Sequence, residues 1–222
     1  MQFDLVVRFA RPLLVGGAMA LATALMPQSA ALADSTMTIP VMGQQDGAWG
    51  AAPLGTSPTD TIASSGCAVT SVTMMLRYYS MNTDPGALNA WLTANGGYAY
   101  DDQLIWDAVS SYSNGRVAFS GWLAPDVGLI LGELDAGRPV VAEVQLSGNQ
   151  HFVLITGHTA EAGLQINDPW FADSVNFADR YGDPASGIVS IRTFMPAAAG
   201  GSGASGRLSW LPNASGVPHL AR

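Results

Sequence analysis

A change of apolar period along the chain predicts an α+β domain, with N-terminal helices packed on an antiparallel sheet. Two observations carry the prediction. Up to about residue 137, apolar side chains recur at helical spacing behind capping residues; beyond it, short runs rich in Val, Ile and Phe read as strands. Helices followed by strands is the order of an α+β domain rather than of alternating βαβ units.

The elements follow in chain order. Residues 1–33 read as a signal peptide: Arg8 and Arg11 flank the start of the uncharged run Leu13–Met26, and Ala31-Leu-Ala33 is a small-x-small cleavage signature before Asp34. The run is shorter than the roughly 20 apolar residues a bilayer crossing needs. Ser64-Ser65-Gly66 is expected to cap a first helix that holds Cys67 in its first turn, with Val69, Val72, Met75, Leu76 and Tyr79 forming its buried stripe. Asp84-Pro85 opens a second helix with Leu88, Trp91 and Leu92 inward, and Gly96-Gly97 ends it. A third helix is expected from Asp102 through Val109, and a fourth from Pro125-Asp126 through Leu134, stopped at Gly137. Strands are expected over 139–144, 151–156, 163–167 and 188–192. The domain spans 34–196, and residues 197–222, opening on an Ala/Gly/Ser-rich stretch, form a flexible tail.

Composition removes several classes of function. The chain carries a net charge of −8, and all nine basic side chains are arginine. Without lysine there is no Schiff-base chemistry and no phosphate-loop lysine. No basic run marks a nucleic-acid partner. One cysteine and three histidines form no tight ligand cluster, so no metal or other cofactor is expected.

Cys67 is the only cysteine. In an exported chain a single thiol cannot form an internal bridge, and is either an inert core group or a reactive one. At a helix N-terminus the outward N–H groups and the dipole favour the thiolate. A nucleophilic thiol also needs a base. His219 lies in the tail, and His151 and His158 sit at opposite ends of one strand, about 23 Å apart at 3.3 Å per residue. If residues 159–162 form the hairpin loop, His158 faces Gly163 and Asp168 falls opposite Val153. His151 shares a face with Val153, which makes it a diagonal neighbour of Asp168 at roughly 7–8 Å. This register favours His151 as base and Asp168 as its orienting carboxylate, and a slip of one residue would undo it. Donors for a developing oxyanion could be the Cys67 N–H and a side-chain amide of Gln44 or Gln45, between which the residues themselves do not choose.

Taken together, Gln44-Gln-Asp-Gly-Ala-Trp49, Ser64-Ser-Gly-Cys-Ala-Val-Thr-Ser71, Gly137-Arg-Pro-Val-Val141, His151-Phe-Val-Leu-Ile-Thr-Gly157 and Ile166-Asn-Asp-Pro169 resemble a known group. It is that of the papain-like cysteine peptidases related to the bacteriocin-processing, double-glycine-leader peptidases. The likeness runs from about Thr38 to Arg192. It implies a papain-like fold, Cys67 as nucleophile, His151 as general base and then acid, Asp168 orienting His151, and Gln44 as the oxyanion donor. The resemblance further implies an enzyme acting on a peptide or protein. The signal peptide adds the expectation that it is secreted, with no stable membrane association once the signal is cleaved, and the composition that it uses no cofactor and binds no nucleic acid. The alternative from another class is a non-catalytic peptide-binding module, with Cys67 in the core and Trp49, Trp91, Trp106 and Trp170 lining a groove. A cell-wall peptide amidase or transamidase would share the chemistry up to the acceptor.

Overall fold

The computed structural model describes residues 34–161 and 163–197. The expected signal peptide and nearly all of the expected tail, His219 included, lie outside the described residues. A short strand β1 (Ser35–Thr36) precedes the helices α1 (Ile62–Ser65), α2 (Cys67–Tyr78) and α3 (Pro85–Ala94). A small hairpin, β2 (Tyr98–Ala99) and β3 (Gln103–Leu104), leads to α4 (Trp106–Tyr112) and β4 (Val117–Leu123). Then come α5 (Val127–Asp135), β5 (Val140–Leu146), β6 (Asn149–Thr159), β7 (Gly163–Asp168) and β8 (Asp173–Asn176). The helices α6 (Phe177–Tyr181) and α7 (Pro184–Gly187) separate β8 from β9 (Ser190–Pro196).

The main sheet is seven-stranded, in the order β4-β9-β5-β6-β7-β8, with β1 also on β6, and every pairing is antiparallel. The expected α+β class with an antiparallel sheet is therefore present. The helices, however, are not gathered at the N-terminus, since β1 precedes them and α5, α6 and α7 lie among the strands. The cause is visible in β6, which is buried on both faces. Phe152 and Leu154 join the cluster around α2, while Val153 and Ile155 join the cluster that holds Ile130 and Leu134 of α5 and Phe177 of α6. A strand apolar on both sides needs cover on both, and one group of N-terminal helices could supply only one layer.

Helix α2 runs through the middle of the first cluster and is buried from Cys67 to Leu76. Its Ser71 hydroxyl donates to the Phe152 carbonyl at 3.1 Å, tying helix to strand. The expected second and fourth helices occur, the second with its expected cap: Asp84 accepts from the Ala87 N–H, and in the fourth Asp126 accepts from the Leu129 N–H. The third does not begin at Asp102. Tyr100 (φ 46°) and Asp101 (φ 72°) adopt the left-handed conformation within the three-residue loop 100–102 of a hairpin, so β2 and β3 take residues 98–104 and the helix starts at Trp106. Strands β4 and β8 and helices α6 and α7 had no periodic signal in the sequence.

Candidate active site

The short helix α1 sets up the thiol. Thr61 and Ser64 form a reciprocal capping box, the Ser64 N–H donating to Thr61 Oγ1 (3.2 Å) and the Thr61 N–H to Ser64 Oγ (2.9 Å). Ser64 thus caps α1 rather than the helix of Cys67. Gly66 is the N-cap of α2 with no side-chain cap bond, and Cys67 is the first residue of that twelve-residue helix. Glycine is required at 66, because a Cβ there would lie 2.5 Å from the Ile62 carbonyl oxygen.

Cys67, His151 and Gln44 line one cavity of about 850 Å³. Its walls include Asp60 and Asp102 on one side and Trp170 and Phe171 on the β7–β8 turn. Cys67 is 5 % exposed and is hydrogen-bonded to the His151 ring. The opposite ring nitrogen, Nε2, donates to Asp168 Oδ1 at 2.9 Å, which leaves Nδ1 for the thiol. Burial pulls the His151 imidazole down, but the bond to Asp168 and the hydrogen bond and charge of Cys67 outweigh it, and its pKa rises from 6.5 to about 9.

Asp168 lies behind the imidazole with 0 % exposure. Burial acts to raise its pKa, and donors from His151, Tyr181 and the Trp170 N–H reverse this, holding it below the ordinary carboxylate range. The Trp170 N–H donates to Oδ1 (3.0 Å), while Tyr181 Oη (2.6 Å) and Arg180 Nη1 (3.1 Å) donate to Oδ2. Nothing in the sequence singles out Tyr181 and Arg180, which stand more than ten positions from the carboxylate they reach.

The hairpin register reaches the expected geometry by a different route. Thr159, not His158, faces Gly163, which shortens the loop by one residue. A bulge between Ile155 and Gly157 then absorbs one residue of β6, giving Leu154↔Asn167 and so Asp168 opposite Val153. The two deviations cancel. His158 is 2 % exposed at the other end of the strand and pairs with Asp135 (2.7 Å).

Gln44 is buried and Gln45 exposed. The loop is pinned by the Gln44 N–H on the Pro169 carbonyl (2.8 Å) and by Trp49 Nε1 on the Gly43 carbonyl (2.9 Å). Gln44 Nε2 donates one hydrogen to the Ala63 carbonyl at 2.9 Å, leaving its second hydrogen available. Of the four tryptophans expected along a groove, Trp170 lines the cavity, whereas Trp106 is 1 % exposed and packs on Phe152 and Phe194 in the core.

Among the described residues no group of three or more His, Cys, Asp or Glu could hold a metal ion. No helix among them is long and apolar enough to cross a membrane. No curated protein matches the chain. The model of the Peptidase_C39 like family matches residues 36–185, more than half of the chain, from the end of β1 into the start of α7. With that match over these elements, the chain belongs to the Peptidase_C39 like family.

Proposed function

We propose that the chain is a secreted cysteine peptidase of papain-like fold, its working domain 34–196 released from a signal peptide over 1–33. The observation that carries the reading is the buried relay Cys67–His151–Asp168, with Nε2 of His151 on the carboxylate and the other ring nitrogen left for the sulfur. The Cys67 thiolate would attack a substrate carbonyl carbon, forming the C–S bond while the carbonyl electrons move to oxygen. The second Nε2 hydrogen of Gln44 and the Cys67 N–H supply donors for that oxyanion. His151, as imidazolium, passes its proton to the amine as the C–N bond breaks, leaving a thioester. His151 then takes a proton from water as the hydroxide attacks the thioester carbon, the C–S bond breaks, and the carboxylic acid leaves with the Cys67 thiolate and the His151 imidazolium restored.

A second reading is favoured by the depth of Cys67, 5 % exposed beneath a cavity of about 850 Å³: a peptide-binding module on the same fold. A wall-peptide amidase or transamidase would use the same acyl-enzyme. The test is incubation of the folded 34–222 chain with a mixed peptide library, reading new termini by mass spectrometry against Cys67→Ala. Cleavage lost in Cys67→Ala supports the hydrolase. Retention of peptides by both proteins without cleavage supports the module, and a new amide linkage to an added amine supports transamidation.

A further inference from the structure

Asp168 is the only carboxylate on the His151 ring among the described contacts, and it makes no contact with water. A carboxylate offers about four acceptor positions, and here each oxygen takes two donors. His151 Nε2 and the Trp170 N–H occupy Oδ1, and Tyr181 Oη and Arg180 Nη1 occupy Oδ2. The two Oδ2 donors are adjacent residues at the end of α6. Both are also held by residues other than Asp168. Tyr181 packs on Phe177, which is fully buried (ring centroids 5.5 Å apart). Arg180 grips Asp173 of β8 with Nη1 and Nη2, each at 2.8 Å, and lies over the Phe171 ring at 4.0 Å.

We propose that Tyr181 and Arg180 are positioning residues that act through Asp168, keeping it ionised and aimed at His151. This rests on the cysteine-hydrolase reading and adds to it the groups that make the relay usable at low pH. The groups facing Asp168 are His151 from β6, Trp170 from the β7–β8 turn, and Arg180 and Tyr181 from α6, with Asp173 facing Arg180. Tyr181 and Asp168 move in opposite directions as this predicts. Burial and then the bond to Asp168 push the phenol up, and the same bond pulls the carboxyl down. Without Tyr181 Oη, Oδ2 is a buried acceptor with one donor fewer. Its proton affinity rises, and once protonated it can turn its O–H away from Nε2. His151 would then lose its orienting partner at a pH where the native chain retains it.

The single thiol makes the test direct. Alkylation of Cys67 by iodoacetamide is followed from pH 4 to 8 in the wild-type chain, Tyr181→Phe, Asp168→Asn and the double variant. Circular dichroism checks each for folding. Tyr181→Phe is expected to move the acid limb of the rate profile upward by about one pH unit and to have no further effect in the Asp168→Asn background. Arg180→Met should act in the same direction and Arg180→Lys should restore most of the profile. A Tyr181→Phe profile that superimposes on the wild type, or effects of Tyr181→Phe and Asp168→Asn that simply add, overturns the proposal. If Asp168→Asn does not fold, His151→Gln serves as the second background with the same expectation. A wild-type thiol that reacts only after denaturation defeats the hydrolase reading itself, and this proposal with it. A reactive wild type with an unmoved Tyr181→Phe defeats the positioning role alone.

Discussion

Removing the charge from Glu143 while keeping its shape, by Glu143→Gln, should destabilise the domain more than any surface change. Glu143 is 7 % exposed on β5 and receives Ser190 Oγ at 2.5 Å, Gln150 Nε2 at 2.8 Å and Arg192 Nη2 at 3.0 Å. Arg192 is 0 % exposed, its guanidinium 3.8 Å above the Trp122 ring and 5.1 Å from the rings of Trp106 and Phe152. Burial presses the Arg192 pKa down to about 10, and Glu143 opposes the fall. With the carboxylate gone, a cation is left in an aromatic box with no counter-charge. Breaking a buried pair in this way costs about 3–5 kcal/mol, a large share of the roughly 5–15 kcal/mol that holds a domain together. Urea unfolding at pH 7 should show a midpoint reduced by that amount with an unchanged slope. Removing both charges, in Glu143→Gln with Arg192→Met, should recover most of the loss, because no unpaired charge is then left buried. The sign of the pH dependence is also set. Burial alone would raise the Glu143 pKa, but the bonds from Ser190 and Gln150 and the Arg192 charge hold it low. Its contribution is therefore complete above the unfolded value near 4.5 and fades as pH falls through the lower folded value. A cost below about 1 kcal/mol for Glu143→Gln, the typical size of an exposed pair, would refute the reasoning.

Three further outcomes are expected. The alkaline limb of kcat/KM on any cleaved peptide should lie near pH 9, because His151 is raised to about 9, stays protonated below that value, and loses the proton owed to the leaving amine above it; a limb near 6.5 would contradict the relay. Gln44→Ala should lower kcat about 10²–10³-fold with little change in KM, while Gln45→Ala, at an exposed position, should leave both within twofold in the same assay. Gly66→Ala should lower the thermal midpoint, with a cost of about 1–3 kcal/mol typical of overpacking, since the added Cβ meets the Ile62 carbonyl oxygen at 2.5 Å and the backbone at the start of α2 has to give way.

Local chemistry in the sequence was sufficient for a good part of this molecule. Asp84-Pro85, Asp126 and Gly137 mark helix ends that depend only on neighbouring N–H and carbonyl groups, and they were legible for that reason. A lone Cys67 at a helix start is equally local, whereas His151, expected at the start of a strand, lies two residues inside β6. The hairpin at 98–104 was not legible, because residues 102–109 carry helical spacing and the deciding contact is remote: the Thr56 N–H on the Asp101 carbonyl at 2.8 Å. The pairing that brings Asp168 to His151 was inferred from a loop one residue too long and a strand without its bulge. Such offsets cannot be counted from a string, because a bulge is a choice between two registers made by the whole sheet. That Gln44 is buried and Gln45 exposed is likewise tertiary, set by which side-chain amide turns to the Ala63 carbonyl. So are Arg180 and Tyr181, whose relation to Asp168 exists only once α6 packs beneath β7. Capping, turn and thiol chemistry act over a few bonds and are written in the sequence. Register, burial of charge and the donors on a sealed carboxylate depend on segments far apart along the chain, and only their packing decides them.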